Sequence, residues 1–346
     1  MVITRVPLSI RSPPLPIPVL RQNLHCSSSR NPNPNQNQTL TPLFLRPLTH
    51  STTTTKLSSF HHWAQTLARS SFPNPDDAGV DSSHLLRELS WLLQDTTSTS
   101  SDTDTVRLRA HLDDLYSLWR QRVEERKPFQ YLVGNEHWRD LVLVVREGVL
   151  IPRPETELLV DLASEVDGFR EGLWADMGTG TGAIAAGIGR ELGTGGSVIA
   201  TDVSETAVEV ARFNVKRYGL EDKVEIRQGS WFDPLQDVKG RLTGLISNPP
   251  YIPSSHISGL QAEVGRHEPR LALDGGENGM QHLVHLCEGS ASALKAGGFF
   301  AFETNGDEQT EFIADLMKTK WGDFFCNIKR VPDFAGIKRF LTGYRR

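Results

Sequence analysis

The segment GLWADMGTGTGA, residues 172–183, joins a short apolar run to a glycine-rich turn and the start of a helical pattern. Glycine lets the backbone approach a ligand closely, and free N–H groups at the start of a helix attract polar or anionic ligand groups. Further apolar segments alternate with helical stretches downstream; they cover residues 196–202, 223–229, 244–250 and 299–304. This alternation predicts an α/β fold with a parallel, doubly wound sheet. Residues 330–346 are expected to close it as an antiparallel hairpin.

An acidic residue ends the second predicted strand. Asp202 closes IATD, where a carboxylate accepts hydrogen bonds from both hydroxyls of a bound ribose. The spacing Gly178-x-Gly180-x-x-Ala183 suits a nicotinamide dinucleotide and S-adenosylmethionine equally well. Trp231, after the third strand, is expected at the adenine, with a core tryptophan as the alternative. This half of the chain therefore binds a ribose-containing cofactor of either kind.

The tetrapeptide Asn248-Pro249-Pro250-Tyr251 follows the apolar strand GLIS. Two consecutive prolines stiffen the turn and contribute no N–H donors, so neighbouring carbonyls and the Asn248 amide oxygen are left as acceptors. Such acceptors suit a planar NH2 group attached to a carbonyl or a ring. Holding both N–H bonds favours a more tetrahedral nitrogen and directs its lone pair at a methyl donor, so orientation and electrostatics supply the catalysis. A merely stiff turn is the alternative.

Several segments together resemble one family. DMGTGTG resembles the first motif of class I methyltransferases, and residues 80–346 as a whole resemble the protein-(glutamine N5) methyltransferases called HemK or PrmC. The matching segments are QYLVG (130–134), IPRPETELLV (151–160), DMGTGTGAIA (176–185), SNPPYI (247–252), EVGRHEPRLALDGGENG (263–279) and DFAGIKRF (333–340). Met177 and Thr304-Asn305 depart from the family's usual residues without removing a motif residue.

The resemblance implies a class I, Rossmann-like S-adenosylmethionine-dependent methyltransferase domain behind a small helical domain and a β-hairpin linker. It implies methyl transfer to the glutamine of the GGQ loop in a class I peptide release factor. The implied cofactor residues are Asp176, Gly178, Thr179, Gly180, Thr181, Gly182, Asp202, Trp231 and Asn248; the implied catalytic residues are Asn248, Pro249, Pro250 and Tyr251. Four motif residues have no settled role, because they either serve the site or cap a helix: Arg153, Glu155, Glu157 and Glu268.

The distribution of charged residues and the spacing of apolar residues divide the chain into predicted segments. Asp and Glu are absent before Asp76, whereas residues 1–75 contain seven Arg and Lys and many Ser, Thr, Pro and Asn. This composition predicts an organellar transit peptide, with a plain disordered tail as the alternative. A plastid is favoured and a mitochondrion is the alternative. We expect a substrate-docking helical domain over residues 76–127, a hairpin linker over 128–150 and the catalytic domain over 151–346.

The remaining charge argues against a nucleic-acid substrate. Beyond residue 75 the 37 Lys and Arg fall to 30 against all 42 acidic residues, a balance of −12. Amino-methyltransferases acting on adenine share the Asn-Pro-Pro-Tyr pattern, but nucleic-acid binding favours the opposite charge. A nicotinamide-dependent oxidoreductase and a cofactor-binding scaffold without catalysis are two more functions to weigh. Three scattered cysteines predict no metal site, and the short apolar runs predict no membrane span; we expect a monomer.

Overall fold

The first part of the chain forms a small helical unit. The structure, a computed structural model, describes residues 41–70, 81–98 and 104–346. After a 3-10 turn at Leu43–Leu45, the elements are β1 (His50–Thr53), α1 (Thr54–Ser70), α2 (Ser82–Thr96), β2 (Thr105–Leu108) and α3 (Leu112–Val123). Strands β1 and β2 pair antiparallel and place the segment before α1 beside the segment before α3.

Amphipathic spacing builds the core of this unit. Phe60, Ala64 and Ala68 recur every four residues along α1 and are fully buried. The buried Trp119 packs with them, and its indole N–H donates to the carbonyl of Ala64 at 3.0 Å. Asp81 caps α2 by accepting the N–H of His84 at 2.8 Å.

The predicted boundary at residue 75 is wrong, because residues 41–70 belong to the folded helical unit. Leu43 and Phe60 are 1% and 0% exposed, and both lie in its apolar core. A shortage of acidic residues does not prevent an amphipathic helix from packing, so composition alone set the boundary too late. The predicted transit peptide or disordered tail then concerns residues 1–40, which lie outside the described ranges, as do residues 71–75.

The linker contains fewer strand residues than the sequence predicts. Residues 128–150 contain α4 (Phe129–Val133), β3 (Asn135–Trp138) and β4 (Leu141–Val144). Most of the segment QYLVG is therefore helical, and Gly134 at φ +80° ends this short helix by donating its N–H to the carbonyl of Gln130. The two strands form the expected antiparallel hairpin.

The catalytic half alternates strands and helices. Its elements are α5 (Glu157–Ser164), β5 (Leu173–Met177), α6 (Ala183–Glu191), β6 (Ser197–Asp202), α7 (Glu205–Arg217), β7 (Val224–Gln228), β8 (Leu242–Ser247), α8 (Ala262–His267), α9 (Gln281–Ala293), β9 (Leu294–Glu303), α10 (Asp307–Lys320), β10 (Phe325–Pro332) and β11 (Lys338–Arg345). The sheet order is β10-β11-β9-β8-β5-β6-β7. Strands β5 to β9 are parallel, and β11 runs antiparallel to β9 and β10. The predicted α/β sheet with an antiparallel closing hairpin is confirmed.

Strand β9 shows how the sheet is covered on both faces. Phe299 and Ala301 lie in one apolar core, whereas Phe300 and Phe302 lie in the core on the opposite face. Such continuous burial is typical of parallel strands covered by helices. Strand β5 lies between β6 and β8, where the strand order reverses, and ligands of such sheets bind at the carboxyl ends of the strands flanking that point.

Candidate active site

The glycine turn follows β5 at the reversal of strand order. Gly178, Gly180 and Gly182 have φ values of +74°, +56° and +81°, which favour glycine. The N–H groups of Gly178 and Thr179 both donate to the carbonyl of Thr201 at 2.9 Å. The turn is therefore fastened to the end of β6 before α6 begins.

Asp176 lies beneath this turn, and one of its two carboxylate oxygens accepts hydrogen bonds from the turn and from α6. Its Oδ2 accepts the hydroxyl of Thr179 at 2.5 Å and the N–H of Ala185 at 3.0 Å. Its Oδ1 is buried and has no hydrogen-bond partner among the described residues. Desolvation by burial raises the pKa of Asp176 to about 7. An unpaired buried carboxylate oxygen is costly, so this atom is available to accept a hydrogen bond from a ligand N–H.

Asp202 is held at the tip of β6 by two backbone donors. Gly180 donates its N–H to Oδ2 and Ser204 to Oδ1, both at 2.9 Å. Desolvation by burial raises its pKa despite these hydrogen bonds. Each carboxylate oxygen keeps acceptor capacity for a ribose hydroxyl. The hydroxyl-bearing Thr181 is buried in the turn, and its carbonyl accepts the side-chain N–H of Asn214 on α7 at 2.9 Å.

Trp231 borders the same turn. A Cβ added at Gly178 would lie 3.9 Å from the Trp231 ring, so the indole lies against the glycine loop. The ring also faces His282, with centroids 5.2 Å apart. The Trp231 φ of +45° is unusual for a bulky residue and is held in place by these surroundings.

The Asn-Pro-Pro-Tyr turn adjoins the glycine turn. The buried hydroxyl of Ser247 donates to the carbonyl of Met177 at 2.6 Å and joins the ends of β8 and β5. The backbone oxygen of Asn248 lies 4.0 Å from the position a Cβ on Gly178 would take. Pro249 is buried, whereas Pro250 is half-buried. Predicted cofactor and catalytic residues thus meet at one edge of the sheet.

Thr156 and Glu303 were missed by sequence reasoning. The side-chain nitrogen of Asn248 donates to the Thr156 hydroxyl at 3.1 Å, and that hydroxyl donates to Glu303 Oε2 at 2.7 Å. The Tyr251 hydroxyl donates to Glu303 Oε1 at 3.1 Å. Burial raises the pKa of Glu303 to about 7, and burial also raises the pKa of Tyr251. The signal that could have found Glu303 was a glutamate ending the apolar run FFAFE at a strand's carboxyl end.

Three of the four motif residues of unsettled role bind neighbouring segments. Arg153 binds both oxygens of Glu268 at 2.7 and 2.8 Å, which joins the entry to α5 with the segment after α8. Glu157 accepts the backbone N–H of Arg139 in the hairpin turn at 2.9 Å. Glu155 lies close enough to Glu303 for its charge to raise the pKa of that residue.

Comparisons with known proteins identify the relatives of the chain. A family profile described as "Methyltransferase small domain" matches residues 154–263. The release factor glutamine methyltransferase of Thermosynechococcus vestitus is 39% identical over 295 residues, covering 82% of this chain and 97% of that protein. That of Synechocystis sp. is 40% identical and covers 74% and 88%. That of Gloeobacter violaceus is 44% identical and covers 68% and 81%.

The cofactor is S-adenosylmethionine, which removes the nicotinamide-dinucleotide alternative. The residues present fit this molecule: the unpaired Oδ1 of Asp176 suits its ammonium group, Asp202 its ribose and Trp231 its adenine. Within the described ranges, no group of His, Cys, Asp and Glu could hold a metal ion, and no helix has the length and apolarity needed to cross a membrane. The chain is an S-adenosylmethionine-dependent methyltransferase that belongs to the release factor glutamine methyltransferase family.

Proposed function

We propose that this enzyme methylates the side-chain amide nitrogen of the glutamine in the GGQ motif of an organellar class I peptide chain release factor. The names of the relatives support the substrate class. The observation that carries the proposal is the position of Asn248. Its amide nitrogen is engaged by Thr156, so its amide oxygen is the atom left for a substrate NH2 beside the glycine turn.

The turn at Asn248 performs the chemistry by orientation. The amide oxygen of Asn248 and a backbone carbonyl of the proline turn each accept one N–H of the glutamine amide. This grip favours a tetrahedral nitrogen whose lone pair is directed at the methyl carbon, and no strong base is needed because the nitrogen releases a proton once it is alkylated. Bound S-adenosylmethionine supplies a methyl group activated by its positively charged sulfur. Tyr251, anchored by its hydroxyl to Glu303, lines the pocket.

The helical unit is proposed to dock the release factor. It is fastened to the segment that follows the catalytic turn, because Arg126 binds both oxygens of Glu263 on α8 at 2.7 and 2.6 Å. The buried Arg122 adds a bond to the same carboxylate at 3.2 Å. A protein bound across the helical unit would thus be held in fixed relation to the pocket. We propose that the enzyme acts as a monomer and binds no nucleic acid directly.

A plastid is the proposed compartment, with a mitochondrion as the alternative. The support is the absence of Asp and Glu from residues 1–40 and the cyanobacterial origin of the relatives named above. Imaging the fluorescently tagged full-length chain in plant cells tests this proposal directly. Fluorescence confined to the cytosol would contradict both compartments.

Radiolabel transfer tests the activity. The chain from residue 41 onward is incubated with methyl-labelled S-adenosylmethionine and purified plastid or mitochondrial release factor. We expect label on the factor and none on the same factor with GGQ changed to GGA. Label on nucleic acid, or on the GGA factor, would contradict the proposal.

Replacing Asn248 examines the pocket itself. Asn248→Ala is expected to lower the transfer rate by about a hundredfold, because one acceptor of the reacting nitrogen is lost. Affinity for S-adenosylhomocysteine, measured by calorimetry, should fall far less. Unchanged transfer in this variant would contradict the assigned role of Asn248.

A further inference from the structure

We propose that Glu303 is a positioning residue that acts through Thr156 to fix which end of the Asn248 side-chain amide faces the substrate. The inference rests on the proposed function, since it explains how the pocket presents an acceptor to the glutamine NH2. Three side chains carry it, and they come from the end of β9, the entry to α5 and the turn after β8.

We call the two hydrogen bonds from Asn248 to Thr156 and from Thr156 to Glu303 the relay. The donors and acceptors in the relay follow from counting protons. An ionised carboxylate only accepts hydrogen bonds, so the single proton of the Thr156 hydroxyl points to Glu303 at 2.7 Å. The Thr156 oxygen can then only accept from the side chain 3.1 Å away, and the NH2 end of Asn248 is the end that donates. The oxygen end of Asn248 is consequently turned to the cleft.

This direction matters because the two ends of an asparagine amide have nearly the same shape. Rotation by half a turn would present an NH2 group to the substrate nitrogen, and two donors facing each other do not bind. An asparagine without a fixed partner would populate both orientations. The relay from Glu303 to Asn248 selects the orientation in which the amide oxygen accepts a hydrogen bond from the carboxamide of the substrate.

The surroundings of Glu303 argue against a merely structural acid. The side chain is fully buried, and Tyr251 occupies its second oxygen at 3.1 Å. The nearby cation, Arg339, places its Nε 3.0 Å from Asp333 and has no hydrogen bond to Glu303 among the contacts of the described residues. Both carboxylate oxygens are therefore used on hydroxyls of residues at the pocket.

Protonation of Glu303 should remove the preference for the Asn248 orientation in which the NH2 end faces Thr156. A neutral carboxyl can donate to Thr156, whose own proton then turns toward Asn248. Burial raises the pKa of Glu303 to about 7; the hydrogen bond from Thr156 opposes this, the charge of Glu155 adds to it, and the charge of Arg339 and the Tyr251 hydroxyl lower it. The ionised form exists above that pH, so the turnover rate at saturating cofactor is expected to rise through about pH 7.

Paired substitutions test the relay. Glu303→Gln keeps the shape but can donate as well as accept, so we expect about a tenfold loss of kcat, loss of the acid limb near pH 7, and S-adenosylhomocysteine affinity within about twofold. Thr156→Val should show a similar loss of kcat, whereas Thr156→Ser, which keeps the hydroxyl, should retain most of the activity. The exposed Glu288 provides the matched control, and Glu288→Gln should behave as the unchanged enzyme.

An activity-independent measurement separates this inference from the proposed function. In the ligand-free enzyme with labelled asparagine, the side-chain NH2 of Asn248 should exchange slowly with solvent, and Thr156→Val should abolish this protection. Protection retained in both Thr156→Val and Glu303→Gln, or full kcat in both, would overturn the inference. If the unchanged enzyme leaves release factors unmethylated yet the protection depends on Thr156 and Glu303, the proposed substrate fails and the relay stands.

Discussion

The unpaired oxygen of Asp176 predicts how cofactor binding depends on pH. Burial raises the pKa of this carboxyl to about 7, so at neutral pH about half of the ligand-free molecules have it protonated. A protonated carboxyl binds an ammonium group poorly, and the ionised form binds it well. Asp202 is the charged neighbour that adds to the raised pKa, and it is itself occupied by two backbone donors.

The size of the effect follows from this pKa. If only the ionised form of Asp176 binds, the dissociation constant of S-adenosylhomocysteine weakens about tenfold between about pH 8 and about pH 6. The stability of the ligand-free enzyme changes with pH in the opposite direction. Because the pKa of Asp176 in the folded protein lies above the ordinary value of 3.8, its contribution to the free energy of unfolding decreases as the pH rises from about 3.8 through about 7.

Calorimetric titration across this pH range measures the prediction. Asp176→Asn keeps the shape of the side chain but removes the charge, so its affinity should be weak and nearly independent of pH. The exposed Asp315, on α10, provides the matched control as Asp315→Asn. A flat profile in the unchanged enzyme, or an equally steep one in Asp176→Asn, would refute the reasoning.

Three further perturbations address the fold around the site. Arg122→Met should destabilise the chain by about 3–5 kcal/mol in urea titrations, because it leaves the buried Glu88 without its charged partner, and adding Glu88→Leu should recover much of the loss. A chain of residues 41–346 should melt cooperatively, whereas residues 76–346 should aggregate because the core of the helical unit is opened; equal melting temperatures would contradict this. Gly182→Ala should cost about 1–2 kcal/mol in thermal melts, because φ is +81° and the added Cβ would lie 3.2 Å from the backbone of α7.

Much of the fold and of the cofactor site follows from local patterns in the sequence. Parallel strands end at the same edge, so residues that directly follow β5, β6 and β8 must meet there. Asp176 is the penultimate residue of β5, Asp202 is the last residue of β6 and Asn248 directly follows β8, and the structure brings them to one edge of the sheet. Short-range pattern and strand order suffice for these residues.

Other parts depend on contacts that no local pattern contains. Thr156 and Glu303 are 147 residues apart, and their hydrogen bond exists only because β9 lies beside β8 and below the entry to α5. The core position of Phe60 was hidden for a different reason, since the surrounding composition predicted a cleaved or disordered segment. The helix over residues 129–133 was missed because so short a run of mostly apolar residues does not distinguish a helix from a strand.

Strand β11 follows both of its sheet neighbours in the sequence yet lies between them. The chain order therefore places β9 and β10 before the strand that separates them, and the two must remain apart until β11 inserts. Phe340 pairs with Glu303, so the residue whose carboxylate lies at the pocket gains this neighbour only when β11 has inserted. Premature pairing of β9 with β10 would trap the chain, which makes this insertion a candidate for the slow step of folding and for assistance by chaperones.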